Sequence, residues 1–488
     1  MVGQRYSDEM MPEATPFAAA LRGGLLVVLA LATACSTTTP LRTDAPAAVD
    51  PQVESEALQA AQTALREGDC RTASESYLRA ARSSDDPEVA MRASQLAMGC
   101  ENLTSARLAA ARWRELVPYS GEAALAAALV AMKRYDVDEA REALAAWRDS
   151  GHSGTQDPLS FAEVLADEAD AALVYRLFGE VLMGDDPAAE VLLAQARLAL
   201  SAYNMQAALD AARRAGELDP NMIEAQAITL RALSMLGQHD AALAGAAALP
   251  AEELRGEDAF LLADLLQGAG RNADAEQELE ILVERPETAA GAARRLISLA
   301  MRQGRLDAAE QRLEELFSRT GVTPLGVLYY AQLAERRGDT ERAIESYRVL
   351  GDSAMGLSAR ASAARLLMKE GATAEALQLI DEHGEQNIRD ALEAGLTRAH
   401  LQSVSGDLKG ALATLDELAK RFPDHPDIDY SRATVLESAG RTRQAVAEFE
   451  RALKRRPEDP QLLNALGYTL ADHGMRLRDA ESYVRKAL

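Results

Sequence analysis

Aromatic side chains make up only 4% of the 488 residues, and the chain has only three cysteines and six histidines. The first scarcity excludes a core built on large interlocking rings. The second excludes a disulfide-dense scaffold and argues against a histidine-rich metal centre. Positive charge is also short. Lys and Arg number 52 against 76 Asp and Glu, a formal charge of −24, so no general basic face exists for neutralising nucleic-acid phosphates. Long apolar runs are missing too, since the most hydrophobic stretch, Leu25 to Ala34, is ten residues where a bilayer-crossing helix needs about 20. What is present is alanine and alternating charge. A chain 48% hydrophobic and 26% charged can bury a core, and small side chains let its helices approach closely.

The apolar run has the layout of an export signal. Arg22 gives a positive flank, and Ala32, Thr33 and Ala34 form a small-residue cleavage site before Cys35. Met10 and Met11 offer alternative starts to the acidic opening around Asp8 and Glu9. Small residues followed by cysteine resemble the lipobox of bacterial lipoproteins, although Ala32-Thr33-Ala34 is equally an ordinary secretory site. The resemblance implies residues 1–34 as signal peptide and Cys35 as the lipidated residue. It also implies a chain held to the membrane by lipid alone, with Ser36 favouring the outer membrane facing the periplasm. Residues 35–53, rich in Thr, Ala and Pro, read as a tether with a reach of roughly 60 Å.

From residue 54 onward one phrase recurs, as in RQGRLDAAEQRLEEL, RRGDTERAIESYRVL and SAGRTRQAVAEFERALKRRP. Its alanine falls at Ala73, Ala106, Ala140, Ala208, Ala242, Ala275, Ala309, Ala343, Ala376, Ala411, Ala445 and Ala480. Neighbouring alanines lie 33 to 35 residues apart, except for one interval of 68, which places a hidden degenerate repeat around Asp157 to Met183. Gly68, Gly237, Gly304, Gly338, Gly371, Gly406 and Gly440 fall where a first helix must stop, a site suited to the left-handed conformation. Asp69, Asp339 and Asp407 follow as caps of the second helix, and Pro118, Pro220, Pro423 and Pro457 close second helices.

This period and phrase resemble the tetratricopeptide repeat, with Leu466-Gly467 inside LNALGYTLADHG carrying its signature; most repeats lack the family's early tryptophan and mid-helix tyrosine. The resemblance implies an all-α solenoid over 54–488, a right-handed superhelix of about 13 antiparallel helix pairs, whose curved face binds protein partners. By the family's groove positions, the partner-facing residues are Arg231, Phe260, Arg294, Gln332, Arg365, His400, Tyr430, Asn464 and Tyr468. With Cys35 assigned to lipid, Cys70 and Cys100 remain as a pair on adjacent turns, either disulfide-bonded or two buried thiols.

Enzymatic motifs dissolve on inspection. Gly268-Ala269-Gly270-Arg271-Asn272-Ala273 fits a dinucleotide fingerprint only in spacing, because a helical run, not a strand, precedes it. His152, His239, His383, His400, His425 and His473 are scattered without metal-ligand spacing. No catalytic residue, cofactor, metal or small-molecule substrate is expected, and neither is nucleic acid. Basic residues outnumber acids from Arg441 onward, as a solvated face or a patch for an acidic partner. Leu466, Leu470 and Val484 are expected to form an uncovered face at Leu488, as in a chain that continues with further repeats.

The segment NALGYTLADHGMRLRDAESYVRKAL resembles late repeats of Gram-negative outer-membrane lipoproteins, one of which is the adaptor of a periplasmic carboxyl-terminal processing protease that degrades cell-wall hydrolases. The resemblance implies a non-enzymatic scaffold. A lipoprotein scaffold for exopolysaccharide secretion or envelope assembly is the alternative, and an enzyme whose catalytic domain lies in a longer gene is the third.

Overall fold

The computed structural model describes residues 50–150, 165, 168–250, 254–386, 390–423 and 425–487. Cys35 and the expected signal lie outside these, as does His152. The chain divides into Met1–Val49 and Asp50–Leu488, and the second unit is a succession of helix pairs with no strand among its described residues.

Repeat 1 is Pro51–Arg66 and Cys70–Arg82, repeat 2 Pro87–Gly99 and Leu103–Leu116, and repeat 3 Gly121–Lys133 and Val137–Asp149. Of degenerate repeat 4 the second helix, Ala171–Val181, is described, together with a buried Leu165. Repeat 5 is Ala189–Ser201 and Met205–Leu218, and repeat 6 is Ile223–Met235 and His239–Ala246. Repeat 7 opens with a 3-10 turn, Gly256–Phe260, before Leu261–Gly268 and Asn272–Val283. Repeats 8 to 10 are Ala289–Arg302 with Leu306–Thr320, Pro324–Arg337 with Thr340–Val349, and Gly356–Lys369 with Thr373–Gln386. Repeats 11 to 13 are Ala391–Val404 with Leu408–Arg421, Pro426–Ser438 with Thr442–Arg455, and Pro460–Asp472 with Leu477–Ala487.

Local chemistry accounts for these boundaries. All seven helix-stopping glycines read from the sequence adopt positive φ, between 71° and 86°. Asp69, Asp339 and Asp407 accept from the backbone N–H groups of Thr72, Arg342 and Gly410 at 3.0, 3.3 and 2.9 Å. Asn102, Asp136, Asp170 and Asn204 cap the second helices of repeats 2 to 5 in the same way. In the degenerate repeat Val174 stands 34 residues after Ala140 and is equally buried.

Two expectations need correcting. The first helix begins at Pro51, capped by Asp50, so residues 51–53 belong to the stack and not to the tether. Leu466 and Leu470 are fully buried, packed with Phe449 and Leu453 of repeat 12 and with Ala480, so they form no uncovered face; only Val484 of that trio is partly exposed.

Candidate partner-binding surface

Successive first helices are tied to one another by polar contacts that run from each repeat to its neighbour. Arg197 Nη2 donates to Glu224 at 2.8 Å, Arg231 Nη1 to Asp258 at 2.6 Å, and Arg365 Nη2 to Glu335 at 2.6 Å. Arg295 reaches both Glu257 and Asp264 while its guanidinium stacks 3.9 Å above the Phe260 ring. Burial pushes the Asp264 carboxyl above its ordinary value against the pull of Arg295 and Arg231.

The residues expected to face a partner lie on first helices, apart from Phe260 in the 3-10 turn before one, and they do not share one environment. Arg365, His400, Asn464 and Tyr468 are exposed, Tyr468 by 58%. Arg231, Arg294, Gln332 and Tyr430 are half-buried, Tyr430 making an edge contact with Phe449 at 6.2 Å. Phe260 is a correction. It is 5% exposed, packs with Leu279, Leu282 and Leu296, and occupies the space a side chain at Gly291 would need, so it is core. The 3-10 turn explains the difference, because three residues per turn shift Phe260 out of the α-helical register used to align it.

Sequence reasoning missed three exposed cations one helical turn further on. Arg302, Arg336 and Lys369 each stand two residues before the helix-stopping glycine of their repeat, a recurrence that was readable. Gly270, from the apparent dinucleotide fingerprint, has φ of 74° at such a turn.

A second polar locus joins distant repeats. Arg71 of repeat 1 donates to the backbone carbonyl of Lys420 in repeat 11. Glu101 of repeat 2 lies 3.5 Å from His425 Nε2 at the start of repeat 12, and Arg176 of repeat 4 lies 2.9 Å from Glu458 at the start of repeat 13. The stack therefore meets itself about ten repeats on. Desolvation opposes the charge on Glu101, but the His425 hydrogen bond and Lys133 hold its carboxyl below the ordinary value. Beside this contact a cavity of about 420 Å³ is lined by Arg134, Tyr135, Asp136, Asp429, Arg456 and Glu458. Burial, with Asp170 and Asp459 nearby, raises the Tyr135 hydroxyl pKa, while burial lowers that of the Arg456 guanidinium.

Cys70 and Cys100 are joined in a disulfide, Cα atoms 5.5 Å apart, which links the two turns bearing Arg71 and Glu101. No group of His, Cys, Asp and Glu among the described residues could hold a metal ion, and no described helix is long and apolar enough to cross a membrane.

Tetratricopeptide-repeat family models match residues 404–467, and a second such model matches 260–317 and 295–356. A TPR repeat-containing protein from Pseudomonas aeruginosa is 30% identical over 156 residues, 32% of this chain. The matched stretch spans 26% of that relative. Among solved structures, yeast Tom70 aligns over 80% of this chain and 97% of its own at 14% identity and TM-score 0.42. A tetratricopeptide repeat protein from Parabacteroides merdae aligns over 49% and 91% at 20% identity and TM-score 0.32. The chain carries tetratricopeptide repeats, and its fold is an all-α solenoid of them.

Proposed function

We propose that this chain is a lipid-anchored periplasmic adaptor that gathers protein partners on its first-helix face and performs no chemistry itself. The carrying observation is the recurrence of polar side chains, exposed or half-buried, at matching registers on consecutive first helices, with Arg231 and Arg365 held by ion pairs between repeats. Tetratricopeptide repeats generally mediate protein–protein interaction, and a solenoid presents such side chains as one extended surface. The disulfide between Cys70 and Cys100 supports an oxidising compartment, and the small residues before Cys35 support export and lipidation. The proposed partners are a periplasmic carboxyl-terminal processing protease and the cell-wall hydrolases it degrades, on the resemblance of the last repeats to lipoprotein adaptors.

Affinity purification of the tagged chain from cross-linked envelopes tests this reading. Recovery of a serine protease together with hydrolases is expected. Recovery of polysaccharide synthase and secretin components instead would replace the protease with an envelope-assembly role, and a soluble, unlipidated mature chain would remove the anchor.

A further inference from the structure

The first helices of repeats 8 to 11 form a strongly basic part of an acidic chain. Together Ala289–Arg302, Pro324–Arg337, Gly356–Lys369 and Ala391–Val404 carry nine Lys or Arg against two Glu, in a protein of formal charge −24. Part of this charge is already used. Arg295 is held by Glu257 and Asp264, Arg337 by Asp307 and Glu310, and Arg398 by Asp381, while Arg360 is buried.

Of the five that remain, Arg294 stands apart and Arg302, Arg336, Arg365 and Lys369 fall into two registers four residues apart. Arg302, Arg336 and Lys369 stand two residues before their turn glycines, and Gln332, Arg365 and His400 stand six before. Residues four apart share a helix face, so these side chains make one stripe across four consecutive repeats. Arg302 is engaged by the Gln267 amide oxygen and Arg336 by the Met301 carbonyl at 3.3 Å, contacts that orient a guanidinium without neutralising it. Arg365 meets one carboxylate, Glu335, and Lys369 has no hydrogen bond or ion pair among the described residues.

We propose that this stripe docks an extended acidic segment of a partner protein, one carrying a carboxylate about every third residue. Packed helices lie about 8–10 Å apart, and an extended chain advances about 3.3–3.6 Å per residue, which sets that spacing. Nucleic acid fits less well. Duplex DNA carries a charge about every 1.7 Å and needs a continuous positive face, whereas this stripe offers one or two Lys or Arg in each of repeats 8 to 10 and only His400 in repeat 11, within an acidic chain. The proposal rests on the scaffold reading and adds the chemistry of the partner.

The test uses the purified full chain and a fluorescent peptide of about a dozen residues, acetylated and amidated, with Glu at every third position and Ser or Ala between. Blocked ends ensure that side-chain carboxylates are what is read. Anisotropy should show salt-sensitive binding that weakens at least about tenfold in Arg302→Gln/Arg336→Gln/Lys369→Gln and persists in Arg443→Gln/Lys454→Gln, with helical circular dichroism unchanged. Should the triple variant fold poorly, Arg336→Gln/Lys369→Gln, which removes two cations without a carboxylate partner, should weaken binding in the same direction. No peptide binding, equal binding of the Glu→Gln peptide, binding unaffected in the stripe variants, or tighter binding of an oligothymidylate would each overturn the proposal. Envelope capture of the same protease by the triple variant as by the parent would leave the scaffold standing and remove the stripe from it.

Discussion

Twelve alanines and Val174, spaced by one repeat, are each at most 2% exposed. At these positions the second helix presses against the first, so a side chain larger than the resident one must push its neighbours aside. Ala309→Leu should therefore destabilise the chain by about 1–3 kcal/mol in urea unfolding, while Ala→Leu on an exposed face should change little. The left-handed turn position is a second residue-scale constraint. Glu101, Tyr135 and Tyr203 hold φ of 52°, 54° and 55° where other repeats place glycine, a conformation that strains an L-residue by about 1 kcal/mol or more. Tyr203 is 82% exposed and has little packing to lose, so Tyr203→Gly should raise stability by about 0.5–1 kcal/mol, read from the shift in urea midpoint. Glu101→Gly would relieve the same strain but remove the contacts to His425 and Lys133, so there the sign should reverse. The glycines and alanines were readable from one sequence because a repeat compares each position with its own copies. The strain at the three exceptions was not, since only the backbone shows that a tyrosine or glutamate follows the glycine's path.

At the scale of helices, caps and turns explain where elements stop, and the disulfide covalently ties repeat 1 to repeat 2. It spans a sequence separation of 30, a loop whose closure is worth about 3–4 kcal/mol on the chain-entropy estimate. Cys70→Ser/Cys100→Ser should lower protection against hydrogen exchange in Pro51–Leu116 by up to that amount while leaving repeats 8 to 10 unchanged. The placement of Cys70 at the opening of one helix and Cys100 at the close of the next was legible from the repeat phase, because matching turns of neighbouring repeats lie side by side. Phe260 was misread at this same scale. A five-residue 3-10 turn leaves no trace in the 34-residue spacing, yet it rotates the ring from the surface into the core.

For the solenoid unit as a whole, the meeting of repeats 1 to 4 with repeats 11 to 13 is held largely by charged and polar groups, so it should respond to pH. The Glu101 carboxyl, with a reference value of 4.5, is depressed in the folded state, which fixes the sign. Its contribution is fully present above about pH 4.5 and is lost as the pH falls through the lowered value. Small-angle scattering should show the radius of gyration increase on acidification, and Glu101→Gln should show that increase at neutral pH, with a loss of about 1–3 kcal/mol in the stability of the contact. An unchanged radius in both would show that other contacts hold the two ends of the stack together. The partners across this meeting are separated by about 280 to 350 residues, and no periodic signal pairs them.

The sequence by itself determined the period, the helix pairing, the small-residue seams and the turn glycines, because each depends on neighbours within one or two repeats and so recurs in print. Only the tertiary structure decided which first-helix residues reach solvent, which are bridged by ion pairs, and where the stack meets itself. Those outcomes accumulate from small rotations between many repeats, a sum that no single repeat records.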